Sequence, residues 1–174
     1  LAVAGVGGWY LYKKQPVRSG VVELQNLQGH VTVRYDERGV PHITADNEAD
    51  LYRALGYVHA QDRLWQMELM RRIAPGRLSE LFGNKALKND LFFAGTGIDE
   101  NSEKAVREMD KNSQEYILAT AYLEGINQYI ANGKTPIEFN LVGVQKERYT
   151  LKDVYNIFGF MSFSFAMAQK TDPL

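Results

Sequence analysis

Six polar residues crowd about three turns of one predicted helix, and their types could do chemistry. They are His59, Gln61, Asp62, Arg63, Gln66 and Glu68. Residues four apart, such as Asp62 and Gln66, share a helix face. Such a cluster is typical either of a polar network beside an active site or of a solvated face with ordinary side-chain pairs, and spacing alone leaves both open. His59 and Asp62 could also share a metal ion, but no third ligand lies near them in sequence.

A long helix must position this cluster. Asp46 and Asn47 are suitable N-cap residues, and acidic residues follow in the first turn, where the helix dipole favours them. Pro75 and Gly76 predict its end. The apolar residues fall at a helical spacing that predicts a broad buried face. They are Leu51, Leu55, Val58, Leu64, Trp65, Met67 and Leu69.

The residues before this helix predict a small antiparallel unit. Residues 21–27 and 31–35 resemble strands, with a turn at Gln28-Gly29 between them. A second turn at Arg38-Gly39 precedes a short extended piece over residues 40–43, and Pro41 suits an edge position there.

Three further helices are predicted downstream. A short charged helix covers residues 100–109, a second runs from the N-cap Ser113 to Asn132, and an apolar helix runs from Leu151 to about Ala168. Gly125 lies in the middle of the second, which indicates that another element packs closely against it. Thr150 and Asp153 predict a capping box at the start of the third.

The amino-acid composition excludes several classes of function. The chain has 174 residues, of which 45% are hydrophobic and 24% charged, as expected for one folded domain with a real core. The net charge of -1 argues against a nucleic-acid surface. The sequence contains no cysteine, which excludes disulfides and cysteine nucleophiles on this chain. With only three histidines as well, the composition argues against a zinc site formed by this chain alone.

The first twelve residues, LAVAGVGGWYLY, form an apolar run that precedes Lys13 and Lys14. This run is shorter than the roughly 20 residues that a membrane-spanning helix needs. We interpret residues 1–19 as the remnant of an export signal or membrane anchor with a linker, and residues 20–174 as the functional domain. The alternative is a buried N-terminal segment of the mature fold.

Residues 36–83 carry a dense motif: GVPHITA, then GYVHAQDRLWQMELMRR, then GRLSELFG. This stretch resembles the start of the small chain in the penicillin acylase family of N-terminal-nucleophile hydrolases. Further matches are Tyr122, Gly125 and Asn127, and the resemblance extends to about Asp172. It implies an α+β, mostly helical fold that a large chain completes into a four-layer αββα architecture.

The resemblance also implies substrate-binding and metal sites. Met161, Ser164 and Phe165 match the family's pocket for the acyl group, with Ser164 in place of an arginine. They lie at i, i+3 and i+4, so all three can face one cavity, although Met161 and Phe165 at that spacing could equally belong to the core. Asp172 matches, after a one-residue shift, a ligand of structural calcium; a solvated carboxylate near the chain end is the alternative.

In the family, the nucleophile is the N-terminal residue of the large chain, usually serine, which autoproteolysis of a precursor exposes. We therefore assign no catalytic residue to this chain and expect it to be the small chain of an exported, periplasmic or outer-side membrane-anchored heterodimer without organic cofactor. The expected reaction is hydrolysis of N-acyl amides, first of a penicillin with an aromatic side chain and second of a long-chain N-acyl-homoserine lactone. A membrane-anchored, non-catalytic helical interaction module is the alternative of another class.

Overall fold

A computed structural model describes Lys14 and residues 16–170 of the chain, with side chains to Ala168. The chain is mostly helical, with one two-stranded sheet, as the sequence predicts. Its elements are β1 (Val31–Tyr35), β2 (Pro41–Ala45), α1 (Glu48–Ile73), α2 (Ser79–Phe82), α3 (Leu87–Ala94), α4 (Ile98–Glu108), α5 (Gln114–Asn132), α6 (Ile137–Val142) and α7 (Leu151–Lys170). They form two compact units: the described residues up to Trp65 with Asn112–Arg148, and Gln66–Lys111 with the described residues from Tyr149 onward.

Strands β1 and β2 form an antiparallel hairpin in which Val33 pairs with Ile43. The Asp36 carboxylate shapes the turn, because Oδ1 accepts hydrogen bonds from the backbone N–H groups of Arg38 (2.9 Å) and Val40 (2.8 Å). Gly39 adopts a φ of 76°, a left-handed conformation that glycine tolerates best. The strand over 31–35, the extended piece and the turn at Arg38-Gly39 are thus confirmed.

The predicted strand over residues 21–27 is wrong, as is the turn predicted at Gln28-Gly29 to join it to β1. Residues 21–24 belong to no strand or helix, and the turn lies at Gln25-Asn26, where Asn26 has a φ of 65°. The segment is instead held through side chains. The Gln128 amide bonds both backbone groups of Gln25, and Asp50 Oδ2 accepts from the backbone N–H groups of Gln28 (2.9 Å) and Gly29 (2.8 Å).

Helices α1 and α5 cross at two glycines in the first unit. A Cβ atom added to Gly125 would lie 1.9 Å from the Arg53 carbonyl oxygen, and one added to Gly56 would lie 2.0 Å from the Tyr122 carbonyl oxygen. Neither distance is sterically possible, so both positions require glycine. The close packing predicted at Gly125 is confirmed, and its partner is the helix that carries the polar cluster.

The second unit contains the apolar helix α7, which packs along α4. Gly159 of α7 faces Ile98 of α4, where an added Cβ would lie 2.5 Å from Ile98 Cγ2. Polar contacts join the same two helices: Asn156 Nδ2 donates to Asp99 Oδ1 (2.8 Å), and Lys152 Nζ lies 2.8 Å from Asp99 Oδ2. These contacts fix the rotation of α7 about its own axis and so determine which of its faces remains open.

The predicted helix caps are present. Ser113 Oγ accepts a hydrogen bond from the Tyr116 backbone N–H (3.2 Å) at the start of α5. At the start of α7, the Thr150 N–H donates to Asp153 Oδ2 (2.7 Å) and the Asp153 N–H donates to Thr150 Oγ1 (3.3 Å), a reciprocal capping box.

Over the described part of the chain, every helix is too short or too polar to cross a bilayer. Most of the proposed signal or anchor segment, residues 1–19, lies outside the described residues, so that division of the chain stays a prediction.

Candidate functional site

Helix α7 presents an apolar face to solvent. Phe158, Met161 and Phe165 are 60%, 41% and 67% exposed, and their spacing of three and four residues places them on one side of the helix. Neither Met161 nor Phe165 therefore belongs to the core of the described chain. This is the face that carries the residues predicted to bind an acyl group.

The opposite aromatic residues of α7 fix this orientation. Phe160 and Phe163 pack against α3 in edge-to-face contacts: the ring centroids of Phe93 lie 5.5 Å from Phe160 and 5.8 Å from Phe163, and Phe92 lies 5.9 Å from Phe163. Such aromatic pairs contribute energy beyond the burial of their area. The helix therefore divides its aromatic residues between a packed side and an exposed side.

Ser164 lies on the exposed side but its hydroxyl is engaged locally. Its Oγ donates a hydrogen bond to the Phe160 carbonyl oxygen (2.9 Å), one turn earlier in the same helix. A short neutral side chain at this position offers no fixed charge to a substrate. The three predicted residues therefore make a face that is apolar with one small polar group.

At the C-terminal end of the polar cluster of α1, Gln66 is exposed, but Glu68 is buried together with two arginines that follow it on the helix. Glu68, Arg71 and Arg72 are each at most 3% exposed. Glu68 pairs with Arg71 (Nε–Oε2, 2.8 Å) and Arg72 (Nε–Oε1, 2.5 Å), Arg72 also pairs with Glu80, and the Arg71 guanidinium lies 4.8 Å from the centre of the Tyr149 ring. The solvated-face interpretation is thus wrong for Glu68, because buried charges require partners.

The first part of the cluster, from His59 to Arg63, is open to solvent on one side of the first unit. His59 Nδ1 lies 2.6 Å from the Tyr122 hydroxyl, and Gln61 Nε2 donates to the Tyr35 hydroxyl (3.2 Å). The regular helix is interrupted at Arg63, whose φ and ψ are -136° and 15°.

His59 and its hydrogen-bond partner Tyr122 have shifted pKa values. Although part of the His59 residue is exposed, desolvation of its ring lowers its pKa; the nearby Arg63 guanidinium lowers it further, and Asp62 acts in the opposite direction. Burial raises the pKa of Tyr122 to about 12, so its hydroxyl stays protonated and able to donate to the neutral imidazole. His59 therefore favours the neutral form in the folded chain.

Two buried aspartates hold loops to helices, and sequence reasoning missed both. Asp50 is one of the first-turn acids that the sequence relates to the helix dipole, yet it is fully buried and binds residues 28–29 and Arg53 (Nη1–Oδ1, 2.8 Å). Asp90 accepts from the backbone N–H groups of Leu78 (2.8 Å) and Ser79 (2.6 Å) and from the Ser79 hydroxyl. Burial alone would raise the pKa of both carboxyls. The hydrogen bonds, which at Asp50 include one from the Asn47 side-chain amide (2.7 Å), outweigh this effect and lower both pKa values. A local sequence pattern does not predict the hydrogen bonds from the backbone N–H groups, because these donors lie 11 to 22 residues away in the chain.

Asp172, the predicted calcium ligand, lies outside the described residues. Within the described ranges, no group of three or more His, Asp or Glu side chains gathers closely enough to hold a metal ion. The described residues therefore neither supply nor replace the predicted site.

Comparison with known proteins gives three kinds of match. The chain resembles the solved structure of a thermostable penicillin G acylase from Alcaligenes faecalis, with a TM-score of 0.70 and 28% sequence identity over 84% of this chain and 78% of that chain. It is 40% identical over 133 residues to the penicillin acylase 2 proenzyme of Pseudomonas sp. strain SE83, and 31% identical over 172 residues to the acyl-homoserine lactone acylase QuiP of Pseudomonas aeruginosa.

The curated relatives are much longer than this chain. The matched regions cover 76% and 96% of this chain but only 17% and 20% of those two relatives. The family model for penicillin amidase matches residues 30–174, which is most of the chain. These residues include the motif over 36–83, the crossing of α1 and α5, and the whole of α7. On this evidence the chain belongs to the penicillin amidase family.

Proposed function

We propose that this chain is the small chain of a two-chain acylase that hydrolyses N-acyl amides. Two facts about length support the proposal. The chain corresponds to about a fifth of its curated relatives, one of which is a proenzyme, but to 78% of one polypeptide chain in a solved penicillin G acylase. A small chain cut from a larger precursor accounts for both values. The rest of the precursor would form the large chain and complete the four-layer fold.

The observation that carries the function is the exposed face of α7. Met161 and Phe165 lie side by side at its surface, while Phe160 and Phe163 are held against α3. An exposed methionine and phenylalanine on a fixed helix suit an apolar acyl group once a partner chain closes the cavity, and methionine adapts to the shape of its ligand. In the proposed enzyme, these two residues and Ser164 line part of the acyl pocket.

The chemistry would come from the large chain. Its N-terminal serine would attack the amide carbonyl, and its own α-amino group, with an ordinary pKa near 8, would take the hydroxyl proton directly or through a water molecule. The C–N bond would then break, and the amine would leave with the proton that the α-amino group returns. Water would hydrolyse the acyl-enzyme that remains and release the carboxylic acid and the serine. The role of this chain is to orient the acyl group and exclude water from it, and it carries no catalytic residue.

The first substrate class we propose is a penicillin with an aromatic acyl group. The aromatic and thioether side chains of α7 match such a group, and the first relative named above is a penicillin acylase. The second class is a long-chain N-acyl-homoserine lactone, which the likeness to QuiP over 96% of this chain favours. Ser164 offers no positive charge to a substrate carboxylate, and this feature favours acyl recognition over recognition of the leaving group.

Paired methionine variants test the pocket in the enzyme produced from its complete gene. Met161→Ala is expected to raise KM for the preferred acyl substrate several-fold, because it removes a contact with the acyl chain. Met167→Ala is the matched control: Met167 is 45% exposed, similar to Met161 at 41%, but lies about 120° away from it around the helix. Equal KM values in the two variants would show that Met161 does not line the acyl pocket.

A panel of phenylacetyl, phenoxyacetyl, octanoyl and dodecanoyl amides would choose between the two substrate classes. A kcat/KM that is highest for phenylacetyl amides would support the penicillin acylase activity, and one that rises with chain length would support the lactone acylase. Absence of hydrolysis of every amide by the processed enzyme would contradict both and favour the interaction module. Family membership favours an acylase over that module.

We also propose a structural calcium ion held by Asp172 together with ligands from the large chain, since carboxylate oxygen suits this hard cation. Metal analysis of the purified protein should find calcium, and Asp172→Ala should abolish it. Export to the periplasm or to the outer side of the inner membrane is proposed from the apolar run over residues 1–12. Cell fractionation that leaves the protein in the cytoplasm would contradict it.

A further inference from the structure

We propose that an open cleft in the first unit binds the carboxylate of an amphipathic small molecule, such as a medium-chain fatty acid. The cleft encloses about 740 Å³ and lies between the hairpin turn and the exposed side of α1. This volume falls in the range of about 300–1,000 Å³ that is usual for small-molecule sites. The inference requires neither the acyl pocket on α7 nor hydrolysis.

The cleft has an excess of positive charge. Three arginines, Arg18, Arg38 and Arg63, line it together with His59, and Asp62 is the one acidic residue among its lining. With the histidine neutral, the lining carries a formal charge of +2. Guanidinium groups present planar pairs of N–H donors that match a carboxylate, which makes this set suited to a carboxylate ligand.

One of the three arginines is already committed. The Arg18 guanidinium lies 3.5 Å from Asp62 Oδ1 and 5.1 Å from the centre of the Tyr35 ring. It also packs against Gly39, where an added Cβ would lie 2.9 Å from Arg18 Nη1. These contacts fix Arg18 at the wall of the cleft and neutralise the single carboxylate.

The other two arginines hold the charge that a ligand would meet. The side chains of Arg38 and Arg63 form neither hydrogen bonds nor ion pairs with any residue that the structure describes. His59 adds a directed donor, because its Nε2 carries the proton when Nδ1 accepts from the Tyr122 hydroxyl. Two unpaired guanidiniums and an imidazole N–H therefore face the same space.

The remaining lining is apolar, which selects an amphipathic acid over a small anion. Val40 and Leu55 are 49% and 39% exposed, and Pro41 and Val58 lie beside them. An alkyl chain that covers these side chains removes apolar surface from water, while its carboxylate reaches Arg38 and Arg63. A small anion gains only the charged contacts, and an alcohol of the same length gains only the apolar ones.

Calorimetric titration of the assembled, processed protein with octanoate, acetate and octanol tests the site. We expect octanoate to bind more tightly than either of the other two. In the double variant Arg38→Gln/Arg63→Gln, we expect its Kd to rise at least about tenfold, which corresponds to loss of one charge-assisted interaction. Arg34→Gln is the matched control, because Arg34 is an exposed arginine of β1 outside the cleft.

The Met161→Ala variant separates this site from the proposed acyl pocket. If octanoate binds in the cleft, its Kd stays unchanged in Met161→Ala and weakens only in the double arginine variant. If the Kd weakens only in Met161→Ala, octanoate binds at α7 and the cleft proposal is overturned. Equal affinity in wild type and the double variant, or no binding because the large chain covers the cleft, would overturn it as well. An unchanged Tm verifies that the double variant is folded.

Discussion

The crossing of α1 and α5 and the exposed face of α7 differ in how closely they are packed within this chain. At the crossing, Gly56 and Gly125 bring two backbones into contact and leave no space for a single extra carbon. On α7, large side chains such as Phe158 and Phe165 stand in solvent. The crossing is fully packed by residues of this chain, whereas the outer face of α7 has no packing partner among the described residues.

This difference is consistent with the role proposed for the chain. A crossing closed by backbone contact is rigid, and it anchors the helix that carries the family motif. A helix that is packed by aromatic contacts on one side has a fixed direction but an open surface on the other. A rigid element that presents an open apolar face is suited to complete a pocket with a second chain.

The largest effect is expected at the glycine crossing. Gly125→Ala should lower the free energy of unfolding by about 3 kcal/mol or more, because the new Cβ overlaps the Arg53 carbonyl oxygen and the helices must separate. Gly95→Ala is the control, since a Cβ there meets atoms only at an ordinary 3.5 Å. Chemical denaturation of the purified protein measures both, and similar stabilities of the two variants would mean that the crossing can relax.

The two sides of α7 should respond differently to the same substitution. Phe163→Ala should cost about 2 kcal/mol, because it removes contacts with Phe92 and Phe93 from a half-buried position. Phe165→Ala should change stability by less than about 0.5 kcal/mol but raise KM for the acyl substrate. A large loss of stability in Phe165→Ala would show that this face packs in the protein instead of lining a pocket.

The helix caps should matter equally in the two regions. Ser113→Ala and Thr150→Ala each remove one side-chain cap, and each should cost about 1 kcal/mol. Equal losses of unfolding free energy in the two variants would mean that the two regions differ in how their helix faces pack and not in how their helices are capped. A cost above about 2 kcal/mol at either position would contradict this.

The smallest effect is a pH dependence at the α1–α5 pair. Because the folded pKa of His59 lies below its ordinary value of 6.5, the unfolded chain binds more protons between the two values. Stability is therefore full above the ordinary pKa and falls as the pH drops below it. His59→Gln should have a shallower decrease of unfolding free energy between pH 7.5 and 5 than the wild type. Identical slopes would contradict the assignment.

Much of the fold follows from local sequence signals. The four helices α1, α4, α5 and α7, the hairpin turn at Gly39 and the caps at Ser113 and Thr150 are predicted because each depends on residues within one or two turns of the chain. The short helices α2, α3 and α6 are not predicted. The close approach at Gly125 is also predictable, since glycine in a helix is costly without a packing reason. Its partner, Gly56, is not, because that contact joins distant segments.

The wrong predictions concern residues whose structure depends on contacts with distant parts of the chain. Residues 21–27 have a strand-like composition, but the left-handed Asn26 and the distant side chains of Gln128 and Asp50 decide their structure. Glu68 resembles a surface residue locally and is buried through Glu80 and two arginines. The residues of the proposed pocket, Met161, Ser164 and Phe165, are assigned by the family resemblance, because spacing alone leaves Met161 and Phe165 open to a role in the core.

Denaturing mass spectrometry with N-terminal sequencing of the protein purified from its complete gene tests the two-chain proposal most directly. The proposal predicts two polypeptides, a small one that contains this chain and a larger one that begins with serine, threonine or cysteine. A species with the mass of this chain alone, or an uncleaved precursor with full amidase activity, would contradict it.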